Sequence, residues 1–297
     1  GDRKPTAKTP TLIVYALVNR PYMVDLQEDK SLVRNLLAQG EDIYLIDWGY
    51  PDRADRWLTL DDYINGYIRR SVDAVARHAG VKKINVLGIC QGGAFSLCFS
   101  AIHPQKVKNL ITMVTPVDFH TPDNMLSNWT RNMDADLFVD TIGNVPADLM
   151  NWCYLTLKPM RLLQQKYVGM VDILDDKVDL ENFLCMEKWI SDSPDQAGEA
   201  FRQFIKDFYQ GNKLVKGGLL IGEDAVDLKN VSMPVLNIYA EQDHLVPPSA
   251  SIPMKDLVGT KDYEVLAFRG GHIGIYVSSR AQREVPGAIH RWLGERS

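Results

Sequence analysis

Apolar residues recur along this chain in two rhythms. Short continuous runs rich in β-branched residues predict strands buried on both faces, and apolar positions three and four apart predict amphipathic helices. The first run, Thr11 to Ala16 (TLIVYA), predicts a strand almost at the start of the chain. Asp29 to Gln39 predicts a helix, with Leu32, Val33, Leu36 and Leu37 on one face and Gly40 as its stop. Ile43 to Asp47 predicts a second strand. Thr59 opens a long helix with Asp62 as its capping partner and Ile64, Ile68, Val72, Val75 and Ala76 as its apolar stripe. Ile84 to Leu87 predicts a third strand, which runs into Gly88-Ile89-Cys90-Gln91-Gly92-Gly93 and a helix ending near His103-Pro104. Leu110 to Val114 predicts a fourth strand. Strands alternating with helices imply an α/β fold with a mostly parallel, doubly wound sheet.

The rhythm breaks at Pro116. From there to about Asn230 the pattern is helical and aromatic-rich, without clear strands, and predicts an inserted, mainly helical cap. Its tryptophans, Trp129, Trp152 and Trp189, suggest a lid and a subunit contact. Strands resume at Pro234 to Ala240 and Tyr263 to Phe268. A last helix is expected near Val285 to Leu293, with Pro286 in its first turn. The expected organisation is therefore a core in two parts, residues 1–115 and 231–297, with the cap at 116–230.

Composition narrows the function. Among 297 residues, 45% are apolar and 24% charged, which is ordinary for a globular chain. No apolar run approaches the ~18 residues of a membrane helix, and Gly1 to Pro10 carries no signal-peptide core. A net charge of −5 without a basic stripe argues against nucleic acid as a partner. The four cysteines, Cys90, Cys98, Cys153 and Cys185, form no CxxC pair and no cluster with zinc-ligand spacing. The expectation is a reducing, cytoplasmic setting with no metal and no cofactor.

Strand, then G-x-C-x-G, then helix is the pattern of a nucleophile elbow. The sharp turn requires small neighbours, which Gly88, Gly92 and Gly93 supply. It sets Cys90 at a helix N-terminus, where the dipole favours a thiolate. The backbone N–H of Gln91 faces the same spot as an oxyanion donor. In this arrangement the acid and the histidine follow on loops after late strands. Asp243 stands after PVLNIYA and His272 after YEVLAF, between Gly270-Gly271 and Gly274. Glu241 is an alternative acid and His244 a rival base. Val18, on the loop after the first strand, is the expected second oxyanion donor. Cys98, Cys153 and Cys185 read as packing residues, and His78, His103, His120 and His290 as helix-end, surface or cap residues.

With those residues in place the chain resembles the polyhydroxyalkanoate synthases, along most of its length. The resemblance rests on GICQGG around Cys90, on Val14 through Asn19-Arg20-Pro21-Tyr22 to Asp25-Leu26, and on Tyr44-Leu45-Ile46-Asp47-Trp48-Gly49. It rests equally on Asp243-His244-Leu245-Val246-Pro247 and Gly270-Gly271-His272-Ile273-Gly274. It implies a cysteine-nucleophile acyltransferase of the α/β-hydrolase superfamily that joins hydroxyacyl units from coenzyme A thioesters into a polyester. Cys90 would be the nucleophile, Asp243 the acid and His272 the base. The short length resembles the two-subunit class. That implies 3-hydroxybutyryl-CoA as substrate, a second noncatalytic synthase subunit, a homodimer and residence at polyester granules. The chain begins almost at its first strand, so an N-terminal segment found in the family is expected to be missing from it. Two other readings stay open: a cysteine hydrolase of thioesters or lactones, and a catalytically silent binding module. Hydroxyacyl-CoA separates them by yielding polymer, free acid or nothing.

Overall fold

The structure is a computed structural model that describes residues 5–160 and 166–297; residues 1–4 and 161–165, parts of the expected first core segment and cap, lie outside the described residues. In chain order it runs through β1 (Thr11–Val14), β2 (Asp25–Gln27), β3 (Lys30–Ser31), α1 (Leu32–Ala38), β4 (Ile43–Leu45), α2 (Arg69–Ala79), β5 (Ile84–Ile89), α3 (Gln91–Ile102) and β6 (Val107–Met113). Then follow α4 (Met125–Thr130), α5 (Ala135–Ile142), α6 (Ala147–Thr156), α7 (Lys166–Asp172), α8 (Lys177–Ser191), α9 (Gly198–Gln203) and α10 (Lys213–Lys216). The chain closes with β7 (Leu220–Ile221), β8 (Asp224–Ala225), β9 (Val235–Ala240), α11 (Pro248–Ser251), α12 (Met254–Leu257), β10 (Tyr263–Phe268), α13 (Gly274–Val277) and α14 (Ser279–Gly294).

Among the described residues, six strands make one parallel sheet in the order β10-β9-β6-β5-β1-β4. Its central strands are buried on both faces, which is why they read as unbroken apolar runs. Alternate residues feed opposite cores. Leu12, Val14, Ile84 and Val86 pack on one side, and Ile13, Tyr15, Leu87 and Ile89 on the other. A satellite core of Ala135, Val139, Val145, Phe201 and Ile205 lies between α5 and α9. The loops after β1, β5, β9 and β10 leave the same edge of the sheet. Ligands bind at that edge in open α/β sheets.

Several boundaries differ from expectation, each for a local reason. The first helix starts at Leu32, not Asp29, because β2 and β3 pair as a hairpin and Ser31 Oγ caps the helix by accepting from Arg34 N at 2.8 Å. Gly40 does close that segment, with φ +93°. The Thr59–Asp62 cap is present: Asp62 Oδ2 accepts from Thr59 N and from Thr59 Oγ1, each at 2.8 Å. It opens a π-helical stretch over Asp62–Ile68 before α2 begins. Residues expected to be strand-free include the short β7–β8 hairpin. The last helix is 16 residues long, and Pro286 lies in its interior, not its first turn. Ser278 is the cap, accepting from Ala281 N at 3.2 Å. Pro286 cannot donate to the carbonyl one turn back, but the residue is buried on the inner side of the helix with Val285 and Ile289.

Candidate active site

Cys90 follows β5 with φ 54° and ψ −122°, a conformation that L-residues rarely adopt. Its N–H donates to Met113 O at 2.9 Å, and its carbonyl accepts from Gly93 N at 2.9 Å, so both neighbouring segments hold the turn. A Cβ on Gly88 would lie 2.5 Å from Ser96 Oγ, and one on Gly92 would lie 2.2 Å from Val14 O. Neither position has room for a side chain. The elbow thus holds Cys90 part-exposed at the start of α3, while Cys98 on the same helix is fully buried, and burial pushes its thiol up. Cys153 lies in the cap and Cys185 on α8; both are half-buried.

Asp243 and His272 come together beside it. The Asp243 side chain is fully buried. Its Oδ1 accepts from Leu245 N at 2.8 Å and Val246 N at 2.9 Å, which fixes the carboxylate. Its Oδ2 lies 2.6 Å from His272 Nδ1. Cys90 lies near enough to act on the same ring. Burial by itself pushes the imidazole down. The charge and hydrogen bond of Asp243, then the influence of Cys90, outweigh it and raise His272 above its ordinary 6.5. Glu241 is exposed and His244 lines the cavity, whereas it is Asp243 that holds His272. The other histidines serve elsewhere: His103 Nε2 lies 3.0 Å from Asn65 Oδ1, His120 Nε2 2.9 Å from Tyr209 O and His290 Nδ1 2.7 Å from Glu41 Oε1, and the His78 ring lies 6.1 Å from that of Tyr44.

Gln91 is the first residue of α3, so its N–H has no acceptor within the helix. Val18 lines the cavity on the loop after β1. These two positions are tied together by a contact the sequence reading missed. Gln91 Oε1 accepts from Leu17 N at 3.0 Å, anchoring the Val18 loop to the elbow. The only sequence signal for it is a polar residue directly after the nucleophile, at the head of an otherwise apolar helix. Tyr154 and Tyr209 were also missed. Both line the cavity, and their phenols are pushed up by burial and by the nearby Cys90. Nothing in the pattern sets them apart from other aromatics.

The cavity over Cys90 holds about 770 Å³. Its floor is the elbow and its roof is α4 to α9, with Trp129 and Trp189 among the lining. The roof is bolted to core loops. Trp189 Nε1 donates to Arg20 O at 2.8 Å, Asn19 Nδ2 to Ser193 Oγ at 2.8 Å, and the hydroxyls of Tyr22 and Tyr50 to Asp192 at 3.0 and 2.5 Å. Among the described residues there is no group of three or more metal-ligating side chains and no helix long and apolar enough to cross a membrane.

Comparison with known proteins follows this geometry. The family model of the α/β-hydrolase fold matches residues 12–279. The chain is 66% identical over 287 residues to the poly(3-hydroxyalkanoate) polymerase subunit PhaC of Allochromatium vinosum, covering 97% of this chain and 81% of that one. It is 56% identical to the PhaC of Synechocystis sp., covering 97% and 78%. Among solved structures it resembles MenH from S. aureus, with a TM-score of 0.62 at 17% identity over 99% of this chain and 97% of that one. The non-heme bromoperoxidase BpoC of Mycobacterium tuberculosis, a putative one by its description, gives 0.60 at 14% identity over 99% and 94%. At those identities the structural likeness speaks for the fold alone. The sequence likeness reaches further: the chain belongs to the poly(3-hydroxyalkanoate) polymerase subunit family and carries the α/β-hydrolase fold.

Proposed function

We propose that this chain polymerises (R)-3-hydroxyacyl-CoA, 3-hydroxybutyryl-CoA foremost, into polyhydroxyalkanoate through a covalent thioester on Cys90, with His272 as base and Asp243 as its partner. The observation that carries the reading is His272, held by Asp243, beside Cys90 on the floor of an apolar cavity. The names of the relatives support the substrate class.

The chemistry follows from the geometry. His272 takes the Cys90 proton, and the sulfur attacks the acyl-CoA carbonyl. A Cys90–acyl bond forms, the bond to coenzyme A breaks, and the departing thiolate takes the proton from His272. Both sulfurs are alike, so neither direction is strongly uphill. Two of the influences that raise His272 come from Cys90 itself. Acylation removes the thiolate, so the imidazole releases its proton more readily and becomes the base for the next step. A 3-hydroxyl then attacks the acyl thioester. Its proton passes through His272 to the Cys90 sulfur, an ester bond forms, and one coenzyme A has been released per unit added. The backbone N–H groups of Gln91 and Val18 receive the oxyanion. An apolar roof excludes the water that would hydrolyse the intermediate.

No cofactor takes part. The wider proposal places the chain as a homodimer with a second, noncatalytic subunit at polyester granules in the cytoplasm. The word "subunit" in the relatives' names, together with the exposed apolar side chains of α6 to α8, supports assembly with further chains. Incubation with 3-hydroxybutyryl-CoA tests the central reading. Coenzyme A release matched by polymer supports it. Release matched by free hydroxy acid makes the chain a hydrolase, and no turnover overturns both.

A further inference from the structure

The lining of the cavity is divided. On the side of the satellite core it is apolar, with Trp129, Met133, Phe138, Leu149, Phe201 and Ile205. On the side of the β2–β3 hairpin, beside the apolar Leu26 and Val277, the hairpin adds two polar side chains, Gln27 and Lys30; Lys166 of α7 and Asn182 of α8 line the cavity as well. Gln27 and Lys30 are register partners across the hairpin, so their side chains leave the same face of it. Gln27 Oε1 is buried and accepts no hydrogen bond from the described residues. A buried amide oxygen without a donor is destabilising, and such an atom in a cavity wall indicates a ligand that donates to it. No anion among the described residues pairs with the Lys30 ammonium. Lys166, by contrast, is engaged by Glu187 and lies 5.4 Å from the centre of the Tyr167 ring.

The substrate of the proposed reaction is divided in the same way. Its acyl half is apolar and grows. Its coenzyme A half carries amides along the pantetheine arm and phosphates beyond them. The reacting carbonyl, held at Cys90, separates the two. We infer that the hairpin side of the cavity seats the coenzyme A half. Gln27 accepts a hydrogen bond from a pantetheine amide, and Lys30 faces the phosphates. The satellite-core side is left to the acyl chain. The inference rests on the polymerase reading but has its own test.

The test compares 3-hydroxybutyryl-CoA with 3-hydroxybutyryl-pantetheine, which keeps the amides and lacks the phosphates. In Lys30→Glu the ratio of the two KM values, coenzyme A thioester over pantetheine thioester, rises about tenfold over wild type. Gln27→Leu keeps the volume and removes the acceptor. It raises both KM values by a similar factor of about five and leaves their ratio unchanged. Lys82→Glu, an equal charge reversal on the exposed loop before β5, is the control and leaves both KM values near wild type. Binding of coenzyme A itself to the Cys90→Ala protein, read by calorimetry, gives a measure that needs no turnover; adding Lys30→Glu weakens it. A KM ratio in Lys30→Glu equal to that of wild type, or unweakened coenzyme A binding, overturns the inference while the polymerase reading stands. A wild-type protein that makes no polymer, yet binds coenzyme A through Lys30, overturns the polymerase reading and keeps this site.

Discussion

Helices α3 and α6 are both rich in apolar residues, yet their surroundings are opposite. All but the last of the twelve residues of α3 are buried, and the helix packs between the sheet and the π-helical stretch Asp62–Ile68. None of α6 is fully buried. One side of α6 lines the cavity through Leu149, Met150, Cys153 and Tyr154, while Trp152 is 60% exposed. Its neighbours repeat this: Val168 and Val171 on α7 and Val178 and Leu184 on α8 are all exposed. Apolar content alone does not reveal whether a helix is packed on all sides or covers a space. The floor of the site is close-packed and held in one geometry. The roof over α6 to α8 is a thin wall, tied to core loops by the side-chain bonds at residues 189–193, while α9 packs into the core beside it.

The sharpest contrast is between two cysteines of one cavity. Cys90→Ala is expected to lower coenzyme A release by more than about 10³-fold, while Cys153→Ala in the roof keeps it within about twofold. Mass spectrometry after brief exposure to substrate should find the acyl group on Cys90. Substantial activity in Cys90→Ala would remove the basis for the triad. The next contrast is in stability. Phe99→Ala in α3 should destabilise by about 3–5 kcal/mol, and Trp152→Ala by no more than about 0.5 kcal/mol, read from urea midpoints. Equal losses would mean that the roof is packed as tightly as the floor.

Within the floor, Asp243→Asn should slow steady polymer production by about 10²-fold and the first release of coenzyme A far less. A thiol needs little help to ionise, whereas the attacking alcohol needs an oriented imidazole and a carboxylate to balance it. Loss of both steps by one factor would reduce Asp243 to a holder of His272. Gln91→Leu should lower kcat about tenfold with KM little changed, because it frees the Val18 loop without removing the Gln91 N–H. A change in KM alone would contradict that role. The smallest expected effect is on pH. A raised imidazole contributes stability that is complete below its unfolded pKa of about 6.5 and is lost as pH climbs through the higher folded value. The gap in melting temperature between wild type and Asp243→Asn should therefore be widest at about pH 5 to 6.5 and narrow in alkaline solution. A gap that widens with pH refutes this account of His272.

The parts legible in the sequence were those with one physical cause. Parallel strands buried on both faces leave unbroken apolar runs, and β1, β5, β6 and β9 were found from them; the edge strands β4 and β10, partly exposed, showed as shorter or interrupted runs. The elbow was legible because its glycines have no alternative: the Cβ positions are occupied. Asp243 and His272 were placed by chain order and by the strands before them. What escaped has two causes competing. The β2–β3 hairpin is short and polar, and its residues also suit a helix start. The π-helical turns over Asp62–Ile68 and Phe204–Gln210 follow from packing, not from any residue type. Pro286 marked a helix start by local rule, and burial overrode the rule. The Gln91–Leu17 bond joins residues 74 positions apart, beyond any local pattern.

The pairing of β6 with β9 has one more consequence. Leu110 and Val235 are register partners across parallel strands, so the chain leaves the sheet after Met113, at the far end of β6, and rejoins it at Val235, at the near end of the adjacent β9. Three residues of rise and one strand spacing put those two points about 11 Å apart, and the entropy of closing a loop between them grows only with the logarithm of its length. The part of the segment over the cavity, α4 to α8, is therefore the part free to vary, while Phe204 and Phe208 stay packed in the sheet's core. It can lengthen, shorten or be replaced by that of a relative while its two anchor points stay fixed. Diversification of product can then proceed in the roof, with the strained cysteine and its partners inherited unaltered beneath it.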